Sequence, residues 1–165
     1  MWKVTTQTGV PARSAARRPE RTTLKISNFA DLQLTDRLLR AITAAGYDTP
    51  TPIQARAIPA ILDRADLLGI AQTGTGKTAA FTLPLLQNLY EDRVEGSRSR
   101  MPEALILAPT RELALQISEN LTAYSRFLKV SHTVVMGGVG QNRQVQALRR
   151  GVDIVIATPG RLIDL

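Results

Sequence analysis

Apolar positions in this chain recur at two different periods, and the changes between them mark its elements. Behind Thr35, a residue suited to cap a helix, Leu38, Leu39, Ile42 and Ala45 return at helical spacing, and Gly46 ends the run. Gly46-Tyr47-Asp48-Thr49-Pro50-Thr51-Pro52 is a turn-rich connector. Pro52, already held at a helical φ, opens a second predicted helix that runs through Gln54 to about Asp63, with Pro59 expected to bend or shorten it. The apolar segment Asp66 to Ala71 predicts a strand that runs into Gln72-Thr73-Gly74-Thr75-Gly76-Lys77-Thr78, with a helix from about Lys77 to Tyr90 behind it. After a charged loop, Glu91 to Pro102, the uniformly apolar Ala104 to Ala108 reads as a strand buried on both faces. Leu113, Ile117, Leu121, Tyr124 and Leu128 then repeat along a helix that begins near Thr110. A strand His132 to Met136, a loop Gly137-Gly138-Val139-Gly140, a helix around Gln144 to Arg149 and a strand Asp153 to Ala157 complete the pattern.

Strands alternating with helices imply crossover connections and a parallel sheet covered by helices, so the expected fold class is α/β. The length of 165 residues and the 44% apolar content suit one globular domain with an adequate core. The longest uninterrupted apolar run, Ala104 to Ala108, is far short of the roughly 20 residues needed to cross a bilayer, so no membrane partner is expected. There is no Cys, which excludes disulfides, thiolate nucleophiles and Cys-based metal sites and fits a cytoplasmic location.

Charge is unevenly spread. Residues 1–25 hold six basic groups (Lys3, Arg13, Arg17, Arg18, Arg21, Lys25) and one acid, Glu20, so 6 − 1 = +5 of the net +7 lies there. Without helical or strand periodicity, this stretch reads as a basic arm capable of holding a polyanion by counterion release, or as a solubilising tail.

The strongest chemistry is in Ala71 to Thr78. Binding phosphate requires backbone N–H groups turned inward and a helix N-terminus aimed at the anion. Gly74 and Gly76 supply the backbone freedom, Lys77 a point charge for the outer phosphates, and Thr78 Oγ a ligand for the Mg²⁺ that accompanies a nucleoside triphosphate. Ala71 stands where the general pattern starts with Gly. The Gly137–Gly140 loop does not make a dinucleotide fingerprint, because Arg143 occupies the third glycine position. His132, beside Ser131, has neither a nucleophile elbow nor Cys partners, and it reads as structural.

With these residues in view, residues 28–165 resemble the first RecA-like domain of DEAD-box ATP-dependent RNA helicases, in their bacterial branch. The resemblance rests on Phe29, on Gly46 through Gln54, on Ala71 through Thr78, on Pro109-Thr110-Arg111-Glu112-Leu113-Ala114, on Gly137-Gly138 and on Thr158-Pro159-Gly160-Arg161. It implies a three-layer parallel sheet of the P-loop NTPase type, divided into a basic arm (1–26), a Q-motif region (27–55) and the N-terminal part of the ATP-binding domain (56–165). It also implies that ATP and Mg²⁺ are cofactors. Ala71, Gln72, Thr73, Gly74, Thr75, Gly76, Lys77 and Thr78 would hold the nucleotide, with Lys77 and Thr78 carrying the catalytic charge and metal contacts. Gln54 would read adenine through its paired donor and acceptor, and Phe29 would pack near the base. Pro109, Thr110, Arg111, Gly137, Gly138, Thr158, Pro159, Gly160 and Arg161 would contact RNA along its backbone, without reading sequence.

The sequence departs from the family in two respects. It contains no Asp-Glu-Ala-Asp quartet, ending at Leu165 before the place where that motif is expected, and Asp63-Arg64-Ala65-Asp66 stands where a Gly-Arg-Asp turn is common. The domain is therefore expected to be incomplete at its C-terminus, with a second RecA-like domain in cis. The 165 residues alone are expected to bind nucleotide or RNA without appreciable ATPase or unwinding, and to leave unpaired strand edges and apolar faces prone to aggregation. A P-loop DNA translocase and a non-enzymatic nucleotide- or RNA-binding remnant are the rival readings.

Overall fold

The computed structural model describes residues 26–93 and 101–165. The expectation for the basic arm falls outside them except at Ile26, and residues 94–100 of the loop after Glu91 are likewise outside. A 3₁₀ turn, Phe29–Leu32, is capped by Asn28, whose side chain accepts from Asp31 N while the Asp31 carboxylate accepts from Asn28 N. Helix α1 spans Asp36–Ala44 and α2 Pro52–Leu62. Thr51 and Gln54 form a reciprocal capping box at the start of α2, each accepting from the other's backbone N–H. As the predicted span to about Asp63 implies, α2 continues through Pro59 to Leu62. It closes in a Schellman motif, Ala65 N donating to Ala60 O and Arg64 N to Ile61 O. That motif places Arg64 at φ +59, the conformation a glycine would take.

Helix α3, Lys77–Glu91, starts at the glycine loop and packs along α2; Asn88 Nδ2 donates to Ile61 O. The buried Gln87 is satisfied at both ends, accepting from Thr35 N and donating to Gln33 O, which pins the entry of α1 to α3. Strand β1 (Ala104–Leu107), helix α4 (Arg111–Tyr124), strand β2 (His132–Val135), helix α5 (Gln141–Arg150), strand β3 (Ile154–Ala157) and helix α6 (Pro159–Ile163) follow. Helix α5 begins three residues earlier than its apolar pattern predicted, because Gln141, Asn142 and Arg143 form a solvent-facing first turn with no apolar position to mark it.

The three strands form a parallel sheet in the order β1-β3-β2. The central strand β3 is buried throughout and divides its residues between two cores. Ile154 and Ile156 join Leu83, Leu86, Ile117, Leu121 and Tyr124 on the α3/α4 face. Val155 and Ala157 join Val135, Val152 and the partly buried Leu148 and Leu162 on the α5/α6 face. Helices on both faces make three layers. Each buried Leu or Ile stabilises the fold by about 1.5–3 kcal/mol. On β1, the side chains that face α5 and α6 are poorly covered, Leu105 and Leu107 being 53% and 56% exposed.

The predicted strand Asp66 to Ala71 does not form. The segment is extended with a single bridge at Leu68, and Leu68 and Ile70 are exposed. A strand exists only through a neighbour's hydrogen bonds. Here the facing edge, β1, stands across a cleft of about 570 Å³ lined in part by Leu67, Gly69, Ile106 and Leu107. Among the described residues, no helix is long and apolar enough to cross a membrane. Residues 55 and 56, the expected boundary between the Q-motif region and the ATP-binding part, both lie within α2.

Candidate functional site

The loop from Ala71 to Gly76 delivers the chain to the N-terminus of α3, where the first-turn N–H groups have no intrahelical partners. Gly74 and Gly76 both have positive φ, +78 and +86. Thr75 Oγ1 donates to Gln72 O and closes the turn. The Lys77 ammonium folds back over the loop and donates to the carbonyls of Ala71 and Gln72. Lys77 and Thr78 both line the 570 Å³ cleft, together with Asp66, Phe81, Leu113 and Ile117. Gln72, Thr73 and Gly74 lie exposed at the loop's tip.

The donor set fits a nucleoside triphosphate with its metal. A Lys whose partners are only neutral carbonyls can exchange them for phosphate oxygens, a stronger, charge-assisted contact. Among the described residues, no side-chain hydrogen bond ties up the half-buried Thr78 hydroxyl, which leaves it able to ligate Mg²⁺.

Gln54 is 1% exposed and belongs to this loop as much as to its own helix. Its Oε1 accepts from Thr51 N, and its Nε2 donates to Gly76 O at 3.2 Å. Thr51 Oγ1 donates to Thr75 O at 2.9 Å. Two side chains from the start of α2 thus hold two successive carbonyls of the glycine loop. Thr51 is the residue that sequence reasoning missed; read only as part of the turn-rich connector, it gave no sign of its cap or of its bond to the glycine loop.

Phe29 is 4% exposed, in the α3/α4 core, with its ring edge-on to Tyr47 at 6.2 Å. Tyr47 packs edge-on to Tyr124, and the two hydroxyls meet at 2.6 Å, with Tyr124 Oη donating to Asn120 Oδ1. Burial, with that hydroxyl contact, raises the Tyr124 pKa well above the ordinary tyrosine value.

Because the strands are parallel, their C-terminal ends share one sheet edge, and the remaining predicted residues gather there. Pro109, Thr110 and Arg111 follow β1, Gly137 and Gly138 follow β2, and Thr158 through Arg161 follow β3. Thr110 caps α4 by accepting from Leu113 N. The Arg111 guanidinium lies against the backbone of Gly137 and Gly138, and a Cβ on Gly138 (φ +79) would stand 2.7 Å from Arg111 Cζ. Arg161 Nη1 donates to Val139 O, and Gln144 Nε2 to Met136 O, so the glycine loop is held from three sides. Arg111 has no ion pair among the described residues.

His132 has the structural role expected. Its Nε2 lies 3.0 Å from Ser118 Oγ and 3.5 Å from Thr122 Oγ1, and burial lowers its pKa from 6.5 despite the Ser118 contact. Burial pushes the Asp153 carboxyl up, but donors from Ser131 N, Ser131 Oγ and Arg93 outweigh it and hold the carboxyl below its ordinary value.

A lysine-bearing glycine loop at a helix N-terminus, beside a parallel sheet layered with helices, defines an α/β domain of the P-loop type. Residues 51–165 match the model of the DEAD/DEAH box helicase family, and the chain belongs to that family. It is 49% identical over 139 residues to the ATP-dependent RNA helicase DeaD of Klebsiella pneumoniae, covering 84% of this chain and 21% of that protein. With the DeaD helicase of Mycobacterium tuberculosis (strain H37Rv) it shares 47% identity over 139 residues, 84% of this chain and 24% of the relative. The chain thus spans between a fifth and a quarter of these curated relatives. The crystal structure of a DEAD box protein from the hyperthermophile Methanococcus jannaschii superposes with a TM-score of 0.71 at 35% identity, over 84% of this chain and 36% of that one.

Proposed function

We propose that these residues form the nucleotide-binding face and part of the RNA-binding face of an ATP-dependent RNA helicase of the cytoplasm, working with a second RecA-like domain in cis. The observation that carries this reading is the double latch of Thr51 and Gln54 on the carbonyls of Thr75 and Gly76. It supports the reading because the Gln54 amide bonds the carbonyl of Gly76, the residue immediately before Lys77.

Lys77 binds the outer phosphates of ATP in place of the Ala71 and Gln72 carbonyls, Thr78 ligates Mg²⁺, and residues 71–76 wrap the phosphate chain. Bound Mg²⁺ supplies neutralisation of charge developing on the phosphate oxygens. Gln54 turns its amide from Gly76 toward the adenine edge, where a donor and an acceptor together favour adenine over guanine. Phe29 supports that face through Tyr47. Arg111, the Gly137-Gly138 turn, Thr158 and Arg161, with Pro109, Thr110, Pro159 and Gly160 shaping their loops, line one sheet edge that suits a phosphodiester backbone. Residues 1–26 add a basic arm, 27–55 the base-side segment and 56–165 the nucleotide domain proper.

Fluorescence anisotropy of a labelled single-stranded RNA hexamer, and of the DNA hexamer of the same sequence, tests the RNA half. Tighter binding of RNA supports the reading, since ribose hydroxyls distinguish the two. Preference for DNA would instead favour a DNA translocase.

A further inference from the structure

A second cluster of cations lies away from the glycine loops. Arg37 and Arg40 project from α1, and Arg126, Phe127 and Lys129 follow the C-terminal end of α4. Arg40 Cζ lies 4.6 Å and Arg126 Cζ 5.5 Å from the centroid of the Phe127 ring, and Arg37 Cζ lies 5.3 Å from that of Tyr90. Arg37 Nη1 also donates to Phe127 O at 3.3 Å. The four cations are exposed and both rings are half-buried. Among the described residues, none of the four is ion-paired. The neighbouring acids Asp92 and Asp153 are engaged by Arg64 and Arg93, while the exposed Asp36 and Glu91 make no ion pair with the cluster.

Two guanidinium groups gathered on one ring without a carboxylate repel each other, and a polyanion relieves that repulsion. Guanidinium planes and ring edges side by side also suit unstacked bases. The cluster sits at the far end of α4 from Arg111, a span of about 21 Å for its 14 residues at 1.5 Å each. A contact made there belongs to a different stretch of strand.

We propose that Arg37, Arg40, Arg126 and Lys129, grouped near Phe127 and Tyr90, form a second RNA-binding surface that holds a flanking single-stranded segment of the RNA bound at the sheet edge. This rests on the proposed RNA-binding reading. The surface adds affinity and length dependence without base specificity.

The test uses the 165-residue chain, a single-stranded RNA hexamer and an RNA twenty-mer. Arg40→Gln/Arg126→Gln is compared with Arg149→Gln/Arg150→Gln, which removes the same charge from α5. Far-ultraviolet circular dichroism and thermal melting confirm that both variants fold. The expected result is a loss of about tenfold in twenty-mer affinity for the first variant only, with hexamer affinity unchanged. Removing two phosphate contacts should also reduce the slope of log K against log salt by about 1.4, at roughly 0.7 per contact for single strands. Twenty-mer binding within twofold of the control variant overturns the proposal. So does a loss confined to polyglutamate binding, which would assign the surface to an acidic protein. Failure of the wild-type hexamer to bind counts against the sheet-edge reading, while the twenty-mer comparison still decides the second surface.

Discussion

Gln54 Nε2 donates to Gly76 O at 3.2 Å, and a Cβ built on Gly76 would stand 2.5 Å from that same nitrogen and 3.2 Å from Thr51 Oγ1. With φ at +86 as well, position 76 admits only glycine on two independent grounds. Gly76→Ala should therefore destabilise the fold by about 1–3 kcal/mol and weaken ATP binding more than tenfold. Chemical denaturation and nucleotide titration of the same variant check the two effects; wild-type behaviour in both would remove the latch from the account.

Lys77 is bonded to carbonyls of its own loop, so its removal costs the fold little and the ligand much. Lys77→Ala should change stability by less than about 1 kcal/mol while reducing ATP affinity at least tenfold. Retained affinity would mean that the phosphates bind elsewhere.

Gly138 faces Arg111 as Gly76 faces Gln54. Gly138→Ala forces the guanidinium away from the loop and strains a backbone at φ +79. RNA hexamer affinity should fall several-fold with ATP affinity unchanged, as read by parallel anisotropy and calorimetric titrations. Equal losses of both ligands would point to unfolding.

The pH dependence of stability separates a half-buried group from a buried one. His132 has its pKa lowered from 6.5, so the unfolded chain takes up more protons than the folded one as pH drops below that value. Stability should decline from about pH 6.5 downward, and His132→Gln should flatten that decline. Asp153 acts in the same sense but at lower pH. Its depressed pKa gives stability that is complete above the ordinary value of 3.8 and is lost as pH falls through the folded value. Losses between pH 6.5 and 4 are thus assigned to His132, and an identical profile for the Gln variant would refute the assignment.

Arg64 occupies the left-handed C′ position of a Schellman motif, where glycine is at ease. Both Arg64→Gly and Arg64→Ala lose the exposed, solvent-screened ion pair to Asp92. Comparing the two isolates the backbone cost. The Gly variant should be more stable than the Ala variant by about 1 kcal/mol in urea denaturation.

Helical periodicity located α1 to α3 to within a residue or two, and it located the start of α4, because each buries a continuous stripe such as Ile117, Leu121 and Tyr124; α4 ends at Tyr124, short of Leu128, the last position of its predicted stripe. The strands β1, β2 and β3 were legible for a similar reason, as short apolar runs between loop signals. Asp66 to Ala71 has the same composition, yet a strand also needs a paired neighbour, which composition does not report. The glycine loop was readable because each job there demands a particular residue at a fixed spacing. Phe29 and Thr51 were harder. An aromatic side chain is equally suited to a core or a base, and a capping Thr gives no sign that its hydroxyl reaches across 24 residues to Thr75. The cluster near Phe127 was invisible, since Arg40 and Arg126 meet only after α1 and α4 pack.

Calorimetric titration of the chain with ATP and with GTP, each with Mg²⁺, repeated on Gln54→Ala, tests the central claim most directly. The account predicts tighter binding of ATP than of GTP by the wild type, and loss of that preference in the variant. Equal affinity of the wild type for both nucleotides, or an undiminished preference for ATP in Gln54→Ala, would contradict it.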